Sequence, residues 1–139
     1  MTYLALTKTD RIKCAVSVAG LANLKRNFLI NNILYKKFDR LFPEGSGFNR
    51  EEEIRKRTAV DFYRNICPAT SILMLHGTAD DKVSFEDSLE LYEKLNSVSA
   101  SAKYKIEIIE DGNHYLSRHK KIVSKKRRKW YDGYLKFIS

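Results

Sequence analysis

Ile72-Leu73-Met74-Leu75-His76-Gly77-Thr78-Ala79-Asp80-Asp81-Lys82-Val83 is the stretch that decides the reading of this chain. Its short apolar opening predicts a buried strand. The run stops at Gly77, and two carboxylates follow at once in a polar turn. An acid at the carboxyl end of a buried parallel strand stands where open α/β sheets place ligands and chemistry. Further on, a second strand, Tyr104 to Ile109, ends in Glu110-Asp111-Gly112-Asn113-His114. An acid and a histidine are therefore expected to leave two strands on one edge of the sheet. In one chain order of the nucleophile triad the serine comes first, then the acid, then the histidine. Asp80 and His114 fit the last two places, and no serine of this chain fits the first.

Working outward, Ile12 to Val18 reads as another buried strand, ending at Ala19-Gly20. Leu24 to Leu41 has helical spacing, with Leu24, Phe28, Tyr35, Phe38 and Leu41 recurring on one side. Pro43 to Gly47 is a loop. A helix is expected from Asn49 to about Arg64, with Glu51, Glu52 and Glu53 in its favourable first turn. Ser84 opens another with a sequence resembling a capping box, and Phe85, Leu89, Tyr92 and Leu95 mark its apolar face. A polar loop, Ser97 to Lys103, precedes the strand at Tyr104. The last helix starts near Lys120 and carries Val123, Trp130, Tyr134, Phe137 and Ile138 on its apolar side. Met1 to Lys8 is helix-compatible but has no capping signal. Strands alternating with helices imply right-handed crossovers and a parallel sheet. The fold class is α/β, with about three parallel strands and flanking helices. Parallel sheets are buried on both faces and usually have more strands. Residues 1–139 are therefore expected to be the carboxyl-terminal half of a larger α/β domain, truncated on its amino-terminal side.

The chain has 139 residues, 43% hydrophobic and 12% aromatic, enough to build a core and too many apolar groups for disorder. The formal charge of +9 raises nucleic acid or an acidic surface as partners. Much of it lies in Lys120, Lys121, Lys125, Lys126, Arg127, Arg128 and Lys129. No aromatic interleaves that run as base stacking would need, and Trp130 and Tyr134 mark a packed side. The run reads as the solvated face of a terminal helix, and no nucleic-acid partner is expected. No apolar run reaches the length of a membrane span, so no membrane partner is expected either. Cys14 and Cys67 have no metal spacing and read as free thiols. This mildly favours a reducing, cytoplasmic setting. The three histidines and scattered acids form no metal-ligand pattern, and no cofactor is expected.

The chain resembles the prolyl oligopeptidase family of α/β-hydrolases, which includes dipeptidyl and acylaminoacyl peptidases. The resemblance is carried by Leu75-His76-Gly77-Thr78-Ala79-Asp80-Asp81-x-Val83, by Ser88 with Leu91-Tyr92 and Leu95, and by Gly112-x-His114. It runs from Met1 to Phe137. It implies that Asp80, three residues before Val83, is the catalytic acid and that Gly112-x-His114 is the histidine loop. It also implies that Met1 to Leu6 belongs to the helix after a G-x-S-x-G elbow. The nucleophile and both oxyanion-hole donors would then lie outside these residues.

In that reading Asp80 orients His114 through Nδ1–H, and His114 is the general base and acid toward the serine. Taken alone, Asp80 could be a turn aspartate accepting backbone N–H groups, and His114 an exposed loop histidine. Asp81 reads as solvated, His76 as structural and hydrogen-bonded near the site, and His119 as solvated. Ser17 lies inside a strand and Ser46 in a glycine-flanked loop without a preceding strand, so neither is a nucleophile candidate. The parent protein is expected to cleave peptide bonds of short peptides through an acyl-enzyme, and this chain alone to be inactive. A carboxylic ester hydrolase or a non-catalytic binding module on the same fold remain the alternatives. The exposed edge at Ile12 to Val18 is expected to promote self-association.

Overall fold

The computed structural model describes residues 2–98 and 103–135. Three strands form one parallel sheet in the order β1 (Cys14–Val18), β2 (Ser71–Gly77), β3 (Tyr104–Ile109). β2 is central and buried at all seven residues, which explains why its sequence is apolar without alternation. Its alternate side chains feed two cores. Ile72 and Met74 pack with Tyr3, Leu6, Val60, Leu91 and Leu95 on one face. Leu73 and Leu75 pack with Ile109, Leu116 and Val123 on the other, with Trp130 against them. The first face is covered by α1 (Thr2–Ala5), α5 (Ala59–Phe62) and α6 (Phe85–Asn96). The second is covered by α7 (Lys120–Leu135). β1, on which self-association is expected, is an edge strand of this sheet.

Three helical expectations are redrawn. Leu24 to Leu41 is two helices, α2 (Leu24–Ile30) and α3 (Asn32–Leu41). Asn31 separates them: its backbone N–H closes α2 onto Asn27, while its side-chain oxygen caps α3 at the Leu34 N–H. The helix expected to run to Arg64 is broken after α4 (Arg50–Arg55), which is capped by Asn49. Thr58 then starts α5, and a 3₁₀ turn follows over Tyr63–Asn65. In α6 the buried stripe is Asp87, Ser88, Leu91 and Leu95, whereas Phe85, Leu89 and Tyr92 are half-buried. The helix is rotated from the apolar-face expectation because two of its polar side chains have buried partners, described below. Of the residues assigned to the apolar side of the last helix, Phe137 and Ile138 lie outside the described residues, as do Met1 and most of the loop before β3.

On α7, Lys120, Lys121, Lys125 and Arg128 are exposed, while Lys126 turns back to Glu107 on β3. That cation and Lys105 outweigh the effect of partial burial and hold the Glu107 carboxyl below its usual range. No helix among the described residues is long and apolar enough to cross a membrane.

Candidate active site

β2 and β3 run in register to their carboxyl ends, where Gly77 lies opposite Ile109. Two loops leave there and are stitched together. The Thr78 N–H donates to the Ile109 carbonyl, the Ala79 N–H to the Gly112 carbonyl (both 3.0 Å), and the Asp111 N–H to Thr78 Oγ1. The seam has no room for side chains. A Cβ on Gly77 would stand 1.9 Å from the Gly112 oxygen, and one on Gly112 would stand 2.6 Å from Leu116 Cδ2. These two glycines are what lets the acid loop and the histidine loop touch. The histidine loop turns through Asp111 and Leu116, both in the left-handed region at φ 52° and 47°, a conformation costly for a branched apolar residue such as Leu116.

The result is a direct pairing of Asp80 with His114. His114 Nδ1 lies 2.9 Å from Asp80 Oδ2 and 3.2 Å from Oδ1. Asp80 Oδ1 accepts the backbone N–H groups of Lys82 and Val83, both at 2.9 Å. The Asp80 side chain is fully buried, and that of His114 is a quarter exposed. Burial pushes the Asp80 carboxyl up, but the Val83 and Lys82 N–H groups and His114 outweigh it and hold it below the usual carboxylate range. Asp80 is thus an anion near neutral pH. A carboxylate accepts only, so the His114 nitrogen facing it carries a proton and leaves Nε2 available as a base. Among the described residues, Nε2 of His114 makes no hydrogen bond. The His114 ring meets Tyr115 edge-on at 5.1 Å, and Lys82 stands over the other ring of that pair.

The remaining sequence candidates sort clearly. His76 is wholly buried and bonded to the site, through Nε2 to Asp80 Oδ2 and the Val83 carbonyl and through Nδ1 to Ser88 Oγ. Asp81 is exposed. His119 ends a 3₁₀ turn and is partly covered rather than fully solvated. Ser17 is buried within β1, and the Ser46 hydroxyl donates to the Pro43 carbonyl in its loop. Tyr3 was not singled out as a site neighbour by the sequence. Its hydroxyl is buried beside Ser17 and Ser88 without completing a hydrogen bond of normal geometry, and burial foremost pushes it up to about 12. Its position in an unmarked four-residue helix carried no signal. Among the described residues no cluster of three or more His, Cys, Asp or Glu could hold a metal ion.

A parallel sheet with an acid and a histidine meeting at its carboxyl edge defines an α/β fold of serine-hydrolase type. The prolyl oligopeptidase family model matches residues 1–137, and the chain belongs to this family. It is 30% identical over 81 residues to a probable dipeptidyl-aminopeptidase B of Arthroderma benhamiae, covering 54% of this chain and 9% of that protein. The structure of an acylaminoacyl peptidase in complex with Z-Gly-Gly-Phe-chloromethyl ketone superposes with a TM-score of 0.78 at 25% identity, covering 100% of this chain and 22% of that one. A puromycin-hydrolyzing peptidase of Mycobacterium tuberculosis shares the fold at a TM-score of 0.73 and 22% identity, over 96% of this chain and 20% of that one. The chain thus spans less than a quarter of each of these relatives.

Proposed function

We propose that this chain supplies the acid and the base of a serine peptidase acting on short peptides, with Asp80 as orienter and His114 as proton carrier. The observation that supports the reading most is the 2.9 Å contact from His114 Nδ1 to a buried, anionic Asp80, with Nε2 making no hydrogen bond among the described residues. In this reading Nε2 takes the proton of a serine hydroxyl as the oxygen attacks the substrate carbonyl. It then returns the proton to the leaving amine, and a water repeats the sequence to release the acyl group. The Asp80 charge stabilises the imidazolium formed on the way. In this reading the serine and the oxyanion donors come from outside these 139 residues, since no serine here follows a strand at a G-x-S-x-G turn. Ser88 holds His76 and Ser84 caps α6.

The test is labelling by a serine-directed fluorophosphonate, combined with hydrolysis of aminoacyl-arylamides and short-chain esters. The longer protein should label and favour the arylamides, and H114Q should abolish both signals. The 139-residue chain alone should give neither. Labelling or active-site-directed turnover by the 139 residues alone would overturn the proposal.

A further inference from the structure

We infer that His76 is a positioning residue, its Nε2–H anchoring the Asp80 carboxylate in the orientation that meets His114, with Ser88 fixing the His76 tautomer. This rests on the proposed roles of Asp80 and His114 and deepens them. Both groups facing His76 Nε2, the Val83 carbonyl and Asp80 Oδ2, lie at 3.0 Å. Each can only accept, so Nε2 carries the hydrogen. Nδ1 faces Ser88 Oγ at 2.8 Å and accepts from that hydroxyl. The ring is 0% exposed, so no bulk water can replace either partner.

The consequence lies in the count of donors. An ionised carboxylate offers about four acceptor positions. In Asp80 they meet the Lys82 and Val83 N–H groups on Oδ1, and His76 Nε2 and His114 Nδ1 on Oδ2. With all four filled, the carboxylate has no second orientation that keeps its bonds. His76 also grips the Val83 carbonyl, so one imidazole ties both ends of the short loop that feeds Oδ1. A histidine serving only to satisfy a buried carbonyl would need the Val83 contact and nothing more. Here it lies on the same carboxylate oxygen as His114, so its loss frees the group that sets His114's tautomer. Ser88, on α6, ties this arrangement to a helix whose Leu91 and Leu95 are packed in the core.

The test is imidazole ¹⁵N spectroscopy on the full chain, which reads each ring's tautomer without any substrate. In the unaltered chain His76 should carry hydrogen on Nε2 with Nδ1 bare, and His114 should carry it on Nδ1. In H76L the His114 tautomer ratio should move about tenfold towards Nε2–H, the size expected for losing one hydrogen bond to a charged acceptor. H76Q, whose amide reaches to about the same place, should restore most of the wild-type ratio, and S88A should give a smaller shift in the same direction. Hydrogen on His76 Nδ1 in the unaltered chain overturns the inference, and that reading requires no variant to fold. An unchanged His114 tautomer in H76L and S88A overturns it as well. A His114 without hydrogen on Nδ1 in the unaltered chain would instead overturn the Asp80–His114 pairing itself.

Discussion

Asp80 and Asp87 both have fully buried side chains, and their surroundings drive them in opposite directions. Asp80 closes the sheet end at β2; Asp87 sits in the first turn of α6, facing α2. Asp87 has what looks like the stronger set of partners. Arg26 Nη1 donates to Oδ1 at 2.7 Å, the Asn23 N–H donates to Oδ2 at 3.2 Å, and the Asn27 amide also donates to Oδ2. Yet burial wins over these partners and pushes the Asp87 carboxyl above its usual range. At Asp80 burial is also the largest single influence, and it loses. The difference is in the donors. Two of those on Asp80 are backbone N–H groups locked in a turn, and the others are imidazoles held by the sheet end and loop. Those on Asp87 are largely side chains of one helix, and Arg26 is a third exposed and shared with Glu90. Fixed dipoles aimed at a buried anion hold its charge better than one partly solvated cation, whose field water screens. One aspartate is built to stay charged, and the other joins two helices.

The largest effect should come from exchanging the two carboxylates for amides one at a time. If the proposed chemistry holds, D80N in a protein that carries the serine should lower kcat by about 10⁴-fold, the scale seen when a triad acid becomes an amide that holds the wrong histidine tautomer. D87N should leave kcat at the wild-type level. Equal losses in steady-state assays of the two variants would erase the contrast.

A smaller effect is expected in the fold itself. G77A places a methyl group 1.9 Å from the Gly112 oxygen, where backbone and not a side-chain tip must move. The loops should part, at a cost of about 3 kcal/mol in urea unfolding, the upper end for an overpacked site. G133A meets nothing within 4 Å and is the matched control. A wild-type unfolding midpoint for G77A would show that the seam is looser than the geometry requires.

The finest contrast is in pH dependence. Asp80 titrates lower in the folded chain than in the unfolded one, so its stabilisation is present above about pH 3.9 and is lost as the pH falls through the folded value. Asp87 titrates higher when folded, so its contribution is present below about pH 3.9 and is lost as the pH rises through the folded value. Urea unfolding across this acid range should show that D80N flattens the rise below about pH 3.9 and D87N the fall above it. Slopes of the same sign at the two positions would refute the opposed environments.

Much of the site was legible because its signals are local. Gly77 and Gly112 each follow an apolar strand, and the acid and the histidine come at short, fixed distances after them. Parallel strands then force those two ends to one edge. The helix boundaries were less legible. Asn31 looks like a helix-interior polar residue until its side chain is seen to cap the next helix. The stripe on α6 was misplaced because Phe85 and Tyr92 are more apolar than Asp87 and Ser88, while the structure buries the polar pair. Hydrophobic periodicity cannot see a polar group that is buried because it has a partner elsewhere in the chain.

The sequence by itself determined the α/β class and the parallel sheet, and it put Asp80 and His114 after the carboxyl ends of two strands, since each follows from short-range pattern and chain order. Only the tertiary structure decided what surrounds Asp80. Four donors come from residues 76, 82, 83 and 114, and Ser88 closes the set from a separate helix. Whether a buried carboxylate keeps its charge depends on how many fixed donors converge on it, and that number arises only when the segments carrying them are packed together.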